Sequence, residues 1–109
     1  MELLAINQDS LSYMYAVIFT AEIAEIDEQY FSMAKKMRDK AISEYNCIEF
    51  TSVCEGGQEI AISYWPDRGS IRLWKEDAEH LVAQNLGIRK WYQSYAVKVV
   101  KVEHQYQNG

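Results

Sequence analysis

The run from Tyr13 to Ile23, YMYAVIFTAEI, is rich in β-branched and aromatic residues and is apolar on both alternating sets through Phe19. Side chains on a strand point alternately to its two faces, so a strand apolar on both must be covered on both. In a chain of 109 residues, enough for one domain, this demands a layered fold with that strand inside it. Residues 1 to 12 show no sustained period and contain Asn7, Gln8, Asp9 and Ser10, and they read as an irregular lead-in arm.

After Ala24 to Asp27 the pattern changes. From Glu28 the residues Tyr30, Met33, Ala34, Met37 and Ala41 recur at helical spacing, while Lys35, Lys36, Asp39 and Lys40 fall on the other side. This helix is expected to end between Ser43 and Asn46. The segment CIEFTSVC, Cys47 to Cys54, alternates as a half-exposed strand. Gly56-Gly57 then marks a hairpin, because adjacent glycines accept positive φ without a Cβ penalty. A third strand, QEIAISYW, runs to Pro66, the only proline, which cannot donate to a ladder.

Asp67 or Ser70 caps the next helical region, predicted from about Arg68 to about Ser94 and bent near Gly87. Ile71 and Trp74 point inward in this reading, and Ala78, Leu81, Val82 and Asn85 continue the stripe. The closing run from Tyr95 to Tyr106 is a long strand, and the shift of its apolar set from Val97 and Val99 to Val100 and Val102 predicts a β-bulge between them. The order is β-α-β-β-α-β, an α+β, ferredoxin-like arrangement of a four-stranded antiparallel sheet with helices on one face. The helix-free face is too apolar for solvent, and pairing two such faces in a homodimer would bury it.

Eleven basic against 16 acidic side chains leave a net charge of -5. With no cluster of Lys and Arg, nucleic acid is not an expected partner. Residues 1 to 28 hold Glu2, Asp9, Glu22, Glu25, Asp27 and Glu28 and no base, the opposite of a signal or transit peptide, so export is not expected. No apolar run approaches the ~20 residues of a membrane span. Cys47 and Cys54 lie seven apart, which puts them on opposite faces of one strand and argues against a disulfide. Two reduced thiols make the cytoplasm the expected compartment. Neither a metal site nor a phosphate-cradling loop is visible.

The strand YAVIFTAEI, the residues Tyr64, Trp65, Trp74 and His80 in the spacing YW-x8-W-x5-H, and the closing WYQSYAVKVVKVEHQY resemble the antibiotic biosynthesis monooxygenase family of dimeric α/β barrels. The resemblance covers about residues 13 to 106. It implies a ferredoxin-like homodimer with a pocket between helices and sheet in each subunit. It also implies oxidation of an aromatic or quinol-like substrate by dioxygen with no cofactor. A related branch binds and degrades haem with an Asn on strand one, a Trp ending strand three and a His on the second helical segment. Trp65 matches that Trp, whereas the Asn position falls on Val17 and the His position on Gln84.

His80 is the candidate base, since neutral imidazole accepts a proton from a phenol near pH 7. It borders the predicted buried stripe, with Glu76 at i-4 to orient it, or else it is a solvated surface histidine. Trp65 either roofs the pocket or packs at the helix-sheet junction. Gln84 shares a face with His80 and either holds a substrate oxygen with it or forms an exposed polar strip. Trp74, placed with Trp65, Gln84 and Val17 at the substrate site by the resemblance, also suits core packing, as do Trp91 and Tyr92. Tyr95 and Tyr106 are candidates for a dimer seam. The expected function is a cofactor-independent monooxygenase acting on a small aromatic substrate and dioxygen. Haem binding or degradation, or a non-catalytic ligand-binding dimer, are the alternatives.

Overall fold

The computed structural model describes residues 14–108. The arm expected at residues 1 to 12 and the start of the first strand at Tyr13 lie outside them. The elements are β1 (Tyr15–Ile23), α1 (Glu28–Glu44), β2 (Glu49–Glu55), β3 (Gln58–Trp65), α2 (Arg68–Lys75), α3 (Ala78–Leu86) and β4 (Tyr92–Lys101), with a π-helical turn (Gly87–Trp91) between α3 and β4. The sheet is antiparallel in the order β2-β3-β1-β4. This is the ferredoxin-like arrangement, and β1, the strand apolar on both sides, lies inside the sheet.

Local chemistry explains the boundaries. The carboxylate of Asp27 accepts from Tyr30 N at 2.9 Å and caps α1, and Asp67 accepts from Ser70 N at 2.7 Å and caps α2. Gly56 and Gly57 make the β2-β3 turn with φ of 61° and 79°, the left-handed region that glycine enters freely. Val17, Met37, Cys47, Trp65, Ile71 and Trp74 pack into the core where α1 and α2 cross the sheet. Cys47 is buried and Cys54 exposed, and both are free thiols. Burial raises the pKa of the Cys47 thiol above its ordinary value.

The second helical region differs from its sequence reading. It ends at Trp91 rather than Ser94, and β4 starts at Tyr92 and stops at Lys101 rather than Tyr106. Lys101 is opposite Tyr15, where β1 begins, and Val102 N makes one further bond to Met14 O at 2.9 Å. A break at Glu76 and Asp77 separates α2 from α3 and resets the helical phase. Leu81 and Val82, expected on the buried stripe, are 52% and 53% exposed, and Asn85 is exposed too. The half-buried residues include His80 and Ala83 instead.

The predicted bulge between Val97 and Val102 is absent. Pairing with β1 is continuous from Tyr15–Lys101 to Glu22–Ser94, and the register shifts only where Ile23 meets Tyr92, passing over Gln93. The parity change among the valines instead means that β4 is apolar on both faces. Val97 and Val99 lie opposite Phe19 and Val17 on the helix side, while Val100 lies opposite Ala16 on the other.

Candidate functional site

A cavity of about 200 Å³ lies between the helix side of the sheet and the helices. Its floor includes Val17 and Phe19 of β1 with Glu59, Ala61 and Ser63 of β3, and Met33 and Met37 of α1 help close it. These β1 and β3 residues are consecutive same-face pairs, Phe19 opposite Ala61 and Val17 opposite Ser63, so strand alternation alone puts them on one surface. The volume is below the ~300–1,000 Å³ usual for drug-sized ligands, which suits a small substrate.

Four of the five residues singled out from sequence meet at this cavity: Val17, Trp74, His80 and Gln84. Trp65 does not. It is 0% exposed, packs its ring 5.2 Å from that of Trp74, and donates its indole N–H to Ser63 Oγ at 2.8 Å. The core alternative is the correct one for Trp65, because β3 places it two residues beyond Ser63, under the crossing of α1 and α2. Trp74 lies between core and cavity. Its N–H donates to the Met37 carbonyl at 3.1 Å, joining α2 to α1, and its ring meets the His80 imidazole edge-on at 4.4 Å.

His80 is half-buried, and its Nδ1 has no hydrogen-bond partner. Glu76 therefore does not orient it there, since that residue is exposed beyond the end of α2. Burial, reinforced by the charge of Lys75, holds the imidazole pKa below its ordinary 6.5 despite the opposing pull of Asp77. The ring is neutral at pH 7, the form that accepts a proton. Asp77 fixes its helix: it caps α3 by accepting from Glu79 N at 2.8 Å, accepts from Tyr45 Oη at 2.7 Å, and pairs with Lys40 at 2.9 Å.

Toward the far end of the cavity is a polar group that no motif announced. Glu59 is buried, and its Oε1 accepts from Tyr30 Oη at 2.6 Å and Tyr92 Oη at 3.0 Å. Burial and the adjacent carboxylate push both phenols well above the ordinary 10. No cation pairs with Glu59 among the described residues. Its inward direction was available from parity, because in QEIAISYW it is in phase with Ala61, Ser63 and Trp65. Tyr92 is aimed there by the π-helical turn, whose Gly87 passes so close that a Cβ would come within 2.9 Å of the tyrosine ring. Lys90 in the same turn pairs with Asp27 at 2.6 Å and ties it to the start of α1.

No family model matches the chain. The uncharacterized protein YqjZ of Bacillus subtilis is 38% identical over 92 residues, 84% of this chain and 81% of that one. Among solved structures, an antibiotic biosynthesis monooxygenase superposes with a TM-score of 0.69 at 16% identity, covering 81% of this chain and 97% of its own. SnoaB, a cofactor-independent oxygenase from Streptomyces nogalater, superposes with a TM-score of 0.73 at 9% identity, covering 88% and 99%.

Proposed function

Because this chain belongs to the family of Bacillus subtilis YqjZ and has the antibiotic biosynthesis monooxygenase fold, we propose that it is an oxygenase that needs no cofactor and acts on a small phenolic or enolic aromatic. The observation that carries this reading is the neutral His80 imidazole in the wall of an apolar cavity. His80 takes the proton from the substrate hydroxyl, and the resulting anion transfers an electron to dioxygen. The radical pair joins in a new C–O bond, and the peroxide recovers the proton from the imidazolium. Loss of water leaves a carbonyl. For a phenol whose keto tautomer carries a ring methylene the balance is CH2 + O2 → C=O + H2O. The protein's share is orientation, deprotonation and exclusion of water.

Haem fits these walls poorly. The position that carries the ligand histidine in the haem-degrading branch is Gln84, which offers no imidazole to iron. The same reading makes the protein a homodimer joined through the helix-free sheet face. Val53, Ile60 and Val100 stand on that face, 59%, 43% and 38% exposed.

An oxygen electrode tests the assignment with a panel of anthrones and quinols, in the presence of a chelator and without added flavin. The expected result is uptake of one O2 per substrate oxidised. Binding without uptake would make the protein a ligand carrier, and a haemin titration that produces a stoichiometric Soret shift would move it to the haem-binding branch.

A further inference from the structure

We propose that Glu59 is the specificity-determining residue of the cavity, reading a hydrogen-bond donor on the end of the substrate remote from His80. This deepens the oxygenase reading and rests on it for the identity of the ligand as a substrate.

Glu59 is 7% exposed and still forms part of the cavity wall. Both tyrosines act on Oε1, and among the described residues nothing bonds Oε2. A carboxylate oxygen accepts up to two hydrogen bonds, so the group is half satisfied by the protein and open to a ligand O–H or N–H. The tyrosines also fix its rotamer, as a recognition group requires, and Tyr30 is itself held by edge-on contact with Trp91 at 5.4 Å.

His80 stands at the other end. Its ring touches Trp74, which packs against Phe50, the residue opposite Ser63. Ser63 and Glu59 are four residues apart on β3, roughly 13 Å at ~3.3 Å per residue. A molecule that gives its acidic hydroxyl to His80 and a donor to Glu59 is therefore elongated, with polar groups at opposite ends of an apolar body. The substrate class is a fused-ring aromatic with hydroxyl or amino groups at both ends. A site built around a hydrogen bond rejects the analogue that lacks the donor far more strongly than an apolar wall rejects a missing methylene, because the buried acceptor is then left unpaired.

The test compares 2,6-dihydroxynaphthalene with 6-methoxy-2-naphthol, which replaces one donor by an acceptor of similar shape. Binding is read calorimetrically and needs no turnover. The wild-type protein is expected to prefer the diol about tenfold or more, the scale of one charge-assisted hydrogen bond. Glu59→Gln keeps an oxygen for the tyrosines but presents an amide donor to the ligand, so the preference should vanish or reverse. Tyr92→Phe leaves the carboxylate in place and should keep the preference for the diol. Equal affinities in the wild type, or an unchanged ratio in Glu59→Gln, overturn the assignment. If Glu59→Gln does not fold, the wild-type ratio decides alone. A Glu59-dependent preference without oxygen uptake supports the assignment and removes the oxygenase. Failure of both naphthols to bind overturns both.

Discussion

At the scale of single residues, Trp65 and His80 part ways from the expectation that both face the substrate: His80 lines the cavity and Trp65 does not. The Trp65 N–H is already bonded to Ser63 and its ring is out of the cavity, so Trp65→Phe is a packing change. It should cost about 1–3 kcal/mol of stability through the void and the unpaired Ser63 hydroxyl, while KM moves by less than about twofold; urea unfolding and steady-state kinetics measure the two. As the proposed base, His80 would set the acid limb of activity. Its folded-state pKa lies below 6.5, so the neutral base persists to lower pH than for a free histidine and the kcat/KM profile should break below that value. The stability linked to burying the neutral ring is fully present above pH 6.5 and is lost as pH falls through the lowered folded value. His80 was recognisable as the histidine of the second helical region, and Glu59 from the parity of its strand. Their environments were not legible, because Tyr30, Trp74 and Tyr92 come from three separate elements and converge only in the fold.

At the scale of elements, the cavity depends on how α3 is placed. A single stripe from Ile71 through Val82 would need one unbroken helix, but Glu76 and Asp77 interrupt it and turn Leu81 and Val82 to solvent. The sequence signal for the interruption was Asp77 followed by Glu79, a cap and an acidic first turn, hidden within a longer apolar period. Asp77→Ala removes that cap together with the Tyr45 and Lys40 contacts. It should destabilise the protein by about 1–2 kcal/mol, the range of a lost N-cap, and lower kcat because His80 is three residues into the same helix. Asp77→Asn retains an oxygen for Glu79 N and should recover most of the stability. Chemical denaturation of the two variants side by side checks this. The strands were far more legible than the helices, since alternation of period two is short-range, and the Gly56-Gly57 turn fixed the β2-β3 register. β4 was misplaced by three residues at its start because Tyr92, Gln93 and Ser94 continue the helical composition before them.

At the scale of the whole molecule, the sheet has one face under helices and one without, and β1 and β4 are apolar on both. That surplus was the strongest fold-level signal in the sequence, and although Ala16 of β1 is buried on the helix-free face as well, Val53, Ile60 and Val100 remain exposed there. In the proposed homodimer a second copy across the other face would complete the burial. Ile62, opposite Ile18 on that face, is the place to test it: light scattering at micromolar concentration should report a dimer for the wild type and a monomer for Ile62→Glu, and a wild-type monomer would remove the interface. The fold supplies a small, mostly apolar cavity, and the chemistry assigned to it rests on a single base. The direct measurement is therefore oxygen uptake by His80→Ala on an anthrone or quinol that the wild type oxidises, with circular dichroism and light scattering to establish that the variant folds like the wild type. With His80 as the base, kcat is expected to fall by about 10² or more while substrate affinity changes little. Undiminished uptake in His80→Ala would contradict it.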